Sequence, residues 1–138
     1  MEIPVMTVPS SVQRPAACVL VVDDEELVRT MLIRTMEAQN YLVYAAADGL
    51  EAISIVEKNL AIDLVVADVS MPRMDGRELA LELAKRYPQL PVVLISGVYL
   101  GGSMDLPGPV LPKPFTPMAL AARVREVLAY KAGRPVTS

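Results

Sequence analysis

The run CVLVV (18–22) is apolar at every position. A strand with one face in water alternates apolar and polar residues, so an unbroken apolar run implies a strand covered on both faces. The signature returns at IDLVVA (62–67) and PVVLIS (91–96), YLVYAAA (41–47) supplies another strand, and a short VL stands at 110–111. Helical periods fill the gaps. From Glu25 to about Asn40, Val28, Met31, Leu32 and Met36 recur on one face. Asp48 with Glu51, and Asp75 with Glu78, have the spacing of an N-terminal capping box. They open helices that end near Asn59 and near Tyr87, ahead of Pro88. Thr116 before Pro117 is a hydroxyl cap followed by proline at the first helical position. That helix runs to about Lys131 with Leu120, Val124, Val127 and Leu128 on one face, and Gly133 and Pro135 end it. Strands alternating with helices imply an α/β fold, a parallel sheet between helical layers.

Bulk properties narrow the function. A chain of 138 residues reads as one domain, here residues 17–131 between flexible tails at 1–16 and 132–138. Thirteen basic and sixteen acidic residues give a net charge of −3 with no basic stripe, which argues against direct nucleic-acid binding. Apolar runs of about five residues are too short to span a membrane, and the amino terminus is a poor signal peptide. One cysteine, Cys18, allows no internal disulfide and fits a cytoplasmic setting. There is no histidine, so histidine ligands, histidine bases and a phosphohistidine on this chain are excluded. The final KAGRPVTS is too short to be an output domain.

In open parallel sheets, sites form beyond the carboxyl ends of the strands. There the sequence places Asp23 and Asp24, Asp68, Ser96 and Lys113. Singly, each reads as a cap or a solvated side chain; together they form an ordered constellation. Three converging carboxylates repel, so at least one should have a raised pKa, and a divalent cation would relieve the repulsion. All-oxygen ligation suits Mg²⁺. A carboxylate can also be a nucleophile towards phosphorus, with a cation and a lysine offsetting the transferred charge.

The motifs VVDDEE (21–26), VVADVSMPRMDG (65–76), VLISG (93–97) and LPKPF (111–115) resemble a response-regulator receiver domain over about residues 17–131. The resemblance implies a flavodoxin-like three-layer sandwich with a five-stranded parallel sheet in order 2-1-3-4-5. It implies a signalling module, not an enzyme, in a two-component phosphorelay. Asp68 would accept a phosphoryl group from a phosphohistidine on a sensor kinase or histidine phosphotransfer protein. Asp23 and Asp24, Asp24 more directly, would hold Mg²⁺ with Asp68 and the Ser70 carbonyl. Ser96 would bind a phosphoryl oxygen, Lys113 would pair with Asp68 or the phosphoryl group, and Gly97 would leave room for the donor. Met71, Pro72 and Gly76 would shape the loop after Asp68, and Lys113–Pro114 is often cis in this family. The implied protein is a stand-alone receiver or the receiver of a hybrid kinase, acting on an unknown downstream protein.

Competing readings fare worse. A haloacid-dehalogenase-type phosphatase would want an acid where Ser70 stands. A dinucleotide site would want a Gly-rich turn where the acidic residues stand. A degenerate receiver used as a phosphorylation-independent binding module would tend to lose its acids, and all three are retained.

Two departures from the family pattern stand out. The aromatic usual three residues before the lysine is Val110, with Tyr99 the nearby ring. Only the thirteen residues GVYLGGSMDLPGP separate Ser96 from Val110. Gly101 and Gly102 each cost a helix about 1 kcal/mol, and Pro107 and Pro109 break one. The expectation is a fourth helix missing or much reduced. Val98, Leu100, Met104 and Leu106, or a partner, would fill its place, and dimerisation through that face would not take its familiar form.

Overall fold

The computed structural model describes residues 16–59, 61–97 and 106–131. Five strands, β1 (Cys18–Val22), β2 (Leu42–Ala46), β3 (Leu64–Asp68), β4 (Val92–Ser96) and β5 (Val110–Pro112), pair in parallel in the order β2-β1-β3-β4-β5. Four helices are present among these residues: α1 (Glu26–Ala38), α2 (Gly49–Lys58), α3 (Gly76–Arg86) and α4 (Pro117–Lys131). The flavodoxin-like sheet order expected from the motifs is the one observed.

The period-two pleat divides each apolar run between two cores. Leu20, Val22, Val65, Ala67 and Leu94 face α2 and α3, packing with Ala52, Val56, Leu79 and Leu83. Val19, Val21, Leu64, Val66, Val93 and Ile95 face α1 and α4, packing with Leu32, Met36, Leu120 and Val124. The central strands β1, β3 and β4 are buried at every position. This is why they carry no polar alternation.

Helix boundaries follow local chemistry. Asp75 and Glu78 form the full capping box, each side chain accepting the other's backbone N–H. At α2 the pattern is shifted: Asp48 accepts from the Glu51 N–H, but Glu51 reaches the Ala47 N–H instead. Thr116 Oγ1 accepts from the Ala119 N–H at 3.0 Å, as its capping role requires. The helix after β1 starts at Glu26, one residue later than its periodicity suggests. Asp23 Oδ1 takes the Glu25 N–H at 2.9 Å and holds Glu25 extended. It ends at Ala38 because Asn40 turns left-handed, with φ of 66°.

β3 also starts late, at Leu64. The Ile62 N–H is spent on the Asn59 carbonyl, and Asp63 uses its side chain to receive the Cys18 N–H at 2.9 Å. Lys131, at the end of α4, donates to the Asp63 carbonyl at 3.1 Å.

The expected reduction of the fourth helix falls mainly on residues 98–105, as does Tyr99, outside the described residues. Leu106 is half-buried against the α2–α3 core, and 106–109 are not helical.

Candidate functional site

Strand register sets the site. Val22 lies opposite Ala67 on β3, Asp68 opposite Ile95 on β4, and Ser96 opposite Pro112 on β5. The next residues of β1 and β5 are Asp23 and Lys113, so all four functional groups gather at the carboxyl edge. Asp23, Asp68 and Ser96 are buried, at 1%, 4% and 5% exposure, the only buried polar residues in the described chain. Charge buried to that degree is costly unless it is paired or used.

Asp68 is held on both oxygens. Oδ1 accepts the Ser70 N–H at 3.0 Å and Oδ2 accepts from Lys113 Nζ at 3.0 Å. Burial of Lys113 opposes its charge. The hydrogen bond to Asp68 and the charges of Asp68, Asp23 and Glu25 outweigh that, and the ammonium sits above its ordinary pKa. Lys113 is set in place by its own backbone, whose N–H donates to the Ser96 carbonyl at 2.9 Å, and a cis Lys113–Pro114 peptide follows. A Cβ on Gly97 would stand 3.2 Å from Lys113 Cδ, so glycine lets the lysine stem pass there.

Asp23 is less well satisfied. Oδ1 caps Glu25, but Oδ2 is buried with no hydrogen-bond partner. Burial lifts its pKa to about 6, against the Glu25 N–H, with the charges of Asp68 and Asp24 adding to the rise. The carboxylate with a raised pKa that the sequence implied is thus Asp23. Arg29 Nη1 grips the Asp23 carbonyl at 2.7 Å. Asp24 is exposed at the rim and touches the site through its charge on Asp23.

The loop 69–75 is closed at its base by the Gly76 N–H on the Val69 carbonyl, 2.9 Å. A Cβ on Gly76 would clash with the Asp68 carbonyl oxygen and stand 2.9 Å from the carbonyl carbon and from Val69 Cα. Backbone cannot yield there, which is the physical reason for glycine. Met71 is half-buried against the core and Pro72 is exposed.

The donor set fits a hard divalent cation. An unpartnered buried Asp23 oxygen lies beside Asp68, whose charge it feels, and both are oxygen donors. No group of three Asp, Glu, Cys or His side chains is gathered for a metal among the described residues. A cation here would therefore draw on backbone oxygen and water besides the two carboxylates, the habit of Mg²⁺.

Sequence reasoning missed Arg29 and a second arginine, Arg73. Arg73 lies in the 69–75 loop and pairs with Asp48, 25 residues away. No spacing rule connects such positions.

A 2-1-3-4-5 parallel sheet with buried carboxylates and a lysine at its carboxyl edge defines the receiver class of signalling module. The chain belongs to the response regulator receiver domain family, whose model matches residues 19–100. It is 40% identical over 119 residues to the sensor kinase CckA of Brucella abortus, covering 82% of this chain and 13% of that protein. It is 36% identical over 115 residues to the response regulator MprA of Mycobacterium sp. strain KMS, covering 80% of this chain and 50% of that one. A crystal structure of a response regulator receiver domain protein from Clostridium thermocellum matches with a TM-score of 0.75 at 26% identity. That match covers 84% of this chain and 97% of that one. The chain thus spans half or less of the length of the CckA and MprA relatives. No helix among the described residues is long and apolar enough to cross a membrane.

Proposed function

We propose that this receiver takes a phosphoryl group onto Asp68 from a phosphohistidine of a sensor kinase or histidine phosphotransfer protein. The observation that carries the reading is Asp68 itself. It is a buried carboxylate fixed by the Ser70 N–H and the Lys113 ammonium, next to a second buried carboxylate with an unmet oxygen. A solvated cap would show neither burial nor this pairing.

In the transfer, an Asp68 carboxylate oxygen attacks phosphorus. The donor's P–N bond breaks, and its electron pair leaves on the imidazole nitrogen. Lys113, already within hydrogen-bond distance of Asp68, would offset the added negative charge. Ser96, buried at the adjacent strand end, would offer its hydroxyl to a phosphoryl oxygen. Asp23, Asp68 and the Ser70 carbonyl would hold Mg²⁺, with Asp24 joining from the rim directly or through water. When bound, the ion supplies charge neutralisation for the carboxylates and the transferring group. With no histidine, these 138 residues cannot carry the phosphohistidine donor themselves. Attack of water at phosphorus would break the acyl phosphate and restore Asp68.

The test is incubation with Mg²⁺ and acetyl phosphate, followed by intact mass and acid/base lability. One acid-stable, base-labile phosphate is expected on wild type and none on Asp68→Ala. An unlabelled wild type, or equal labelling of the variant, would sink the reading.

A further inference from the structure

The loop 69–75 is fastened to a second element that the phosphoryl chemistry does not require. The Arg73 guanidinium pairs with the Asp48 carboxylate at the N-terminus of α2. Asp48 also caps that helix through the Glu51 N–H, and its side chain is only 16% exposed. The Glu51 N–H, opposed by burial and joined by Arg73, holds the Asp48 carboxyl below the usual range. Met74 makes a parallel contact: a Cβ on Gly49 would lie 2.9 Å from Met74 Cγ and Sδ. Two neighbouring loop residues therefore rest on the first turn of α2.

Arg73 adopts a left-handed backbone, φ 66°, which is unfavourable for a non-glycine residue. Such a conformation persists where surrounding contacts fix it. The ion pair, with the Arg73 side chain 67% exposed, is one contact that can do so. Three residues upstream, the Ser70 N–H sets Asp68 Oδ1. Val69, tied to the Gly76 N–H, and the anchored Arg73 thus flank the segment that carries Ser70.

We infer that Arg73 is a positioning residue. Through Asp48 it holds the 69–75 loop so that Ser70 presents its N–H to Asp68 and its carbonyl to the cation. The cation half rests on the phospho-acceptor reading above; the Ser70–Asp68 half does not.

Two substitutions remove the ion pair and spare the backbone. Asn tolerates the left-handed region, so Arg73→Asn keeps the turn. Asn is also a good N-cap, so Asp48→Asn keeps the start of α2. Each variant and the double variant are compared with wild type by two amide NMR readouts. The first is hydrogen exchange at Ser70 in EDTA; the second is a titration with Mg²⁺. Faster Ser70 exchange is expected in all three. The Mg²⁺ dissociation constant should rise about three- to fivefold, the scale of a partly exposed ion pair. The double variant should be no worse than either single one, and thermal midpoints in EDTA should stay together.

An unchanged Ser70 amide in both single variants overturns the inference, whatever the labelling result. A changed Ser70 amide with unchanged Mg²⁺ affinity overturns its cation half. Additive losses in the double variant overturn the pairing with Asp48. A wild type that binds Mg²⁺ but takes no label from acetyl phosphate sinks the phospho-acceptor reading and leaves the positioning role standing.

Discussion

Replacing Asp23 by asparagine should make the metal-free protein more stable near neutral pH. The amide would keep an oxygen to cap Glu25 but would lose the charge whose Oδ2 has no partner. Asp23 binds its proton more tightly when folded, with a pKa of about 6 against 3.8 for the ordinary carboxyl. Its stabilising protonation is complete below about pH 4. It is lost as pH rises to the folded value, and above that the full cost of burying the ion remains. At 1.36 kcal/mol per unit, the shift corresponds to an upper bound of about 3 kcal/mol.

Urea denaturation in EDTA at pH 4 and pH 7.5 reads this directly. With a slope of about 1–3 kcal/mol/M, the gain at pH 7.5 moves the midpoint by about 1–3 M, and at pH 4 it falls to about a fifth of that. Adding Mg²⁺ should raise the wild-type midpoint and leave the variant's nearly unmoved, because only the native wild type binds the ion well. A variant no more stable than wild type at pH 7.5, or a gain equal at both pH values, would refute the account of Asp23 as a buried, unsatisfied charge.

Gly76→Ala should cost about 1–3 kcal/mol or more, because the added carbon meets the Asp68 backbone. Gly49→Ala should cost much less, because its added carbon meets the flexible Met74 side chain. Equal losses in denaturation would contradict this ranking. Asp75→Ala removes the half of the capping box in which the Asp75 side chain accepts the Glu78 N–H and should lose about 1 kcal/mol; an unchanged midpoint would show that half to be idle.

The sheet and its helices were legible because burial leaves a direct mark on sequence. CVLVV could be uninterrupted only in a strand covered twice, and Asp75 with Glu78 fixed the start of α3. The strand-end rule then located Asp23, Asp68, Ser96 and Lys113. Boundaries were less legible where side chains take backbone N–H groups, as Asp63 takes that of Cys18 before β3 and Asp23 that of Glu25 before α1. The resemblance gave Asp24 the more direct hold on a cation, but which of two adjacent residues faces the site depends on how the chain turns them, and here Asp23 carries the unmet buried oxygen. Asp23 is buried and Asp24 is exposed. The Arg73–Asp48 pair has no local signature, because it depends on the sheet bringing two loops together.

The sheet that separates the two cores also separates the effects of substitutions in them. A substitution at Leu79 is felt by Leu20 and Val65, and one at Leu120 by their neighbours on the opposite pleat. Residues without shared partners behave independently. Each helical layer can therefore drift in sequence without waiting for the other, and surfaces built from α2 and α3 can diverge while those of α1 and α4 stay fixed. The strand ends are where those effects meet. Asp23 and Asp68 close strands that belong to both cores, so that edge answers to every change and tolerates the fewest.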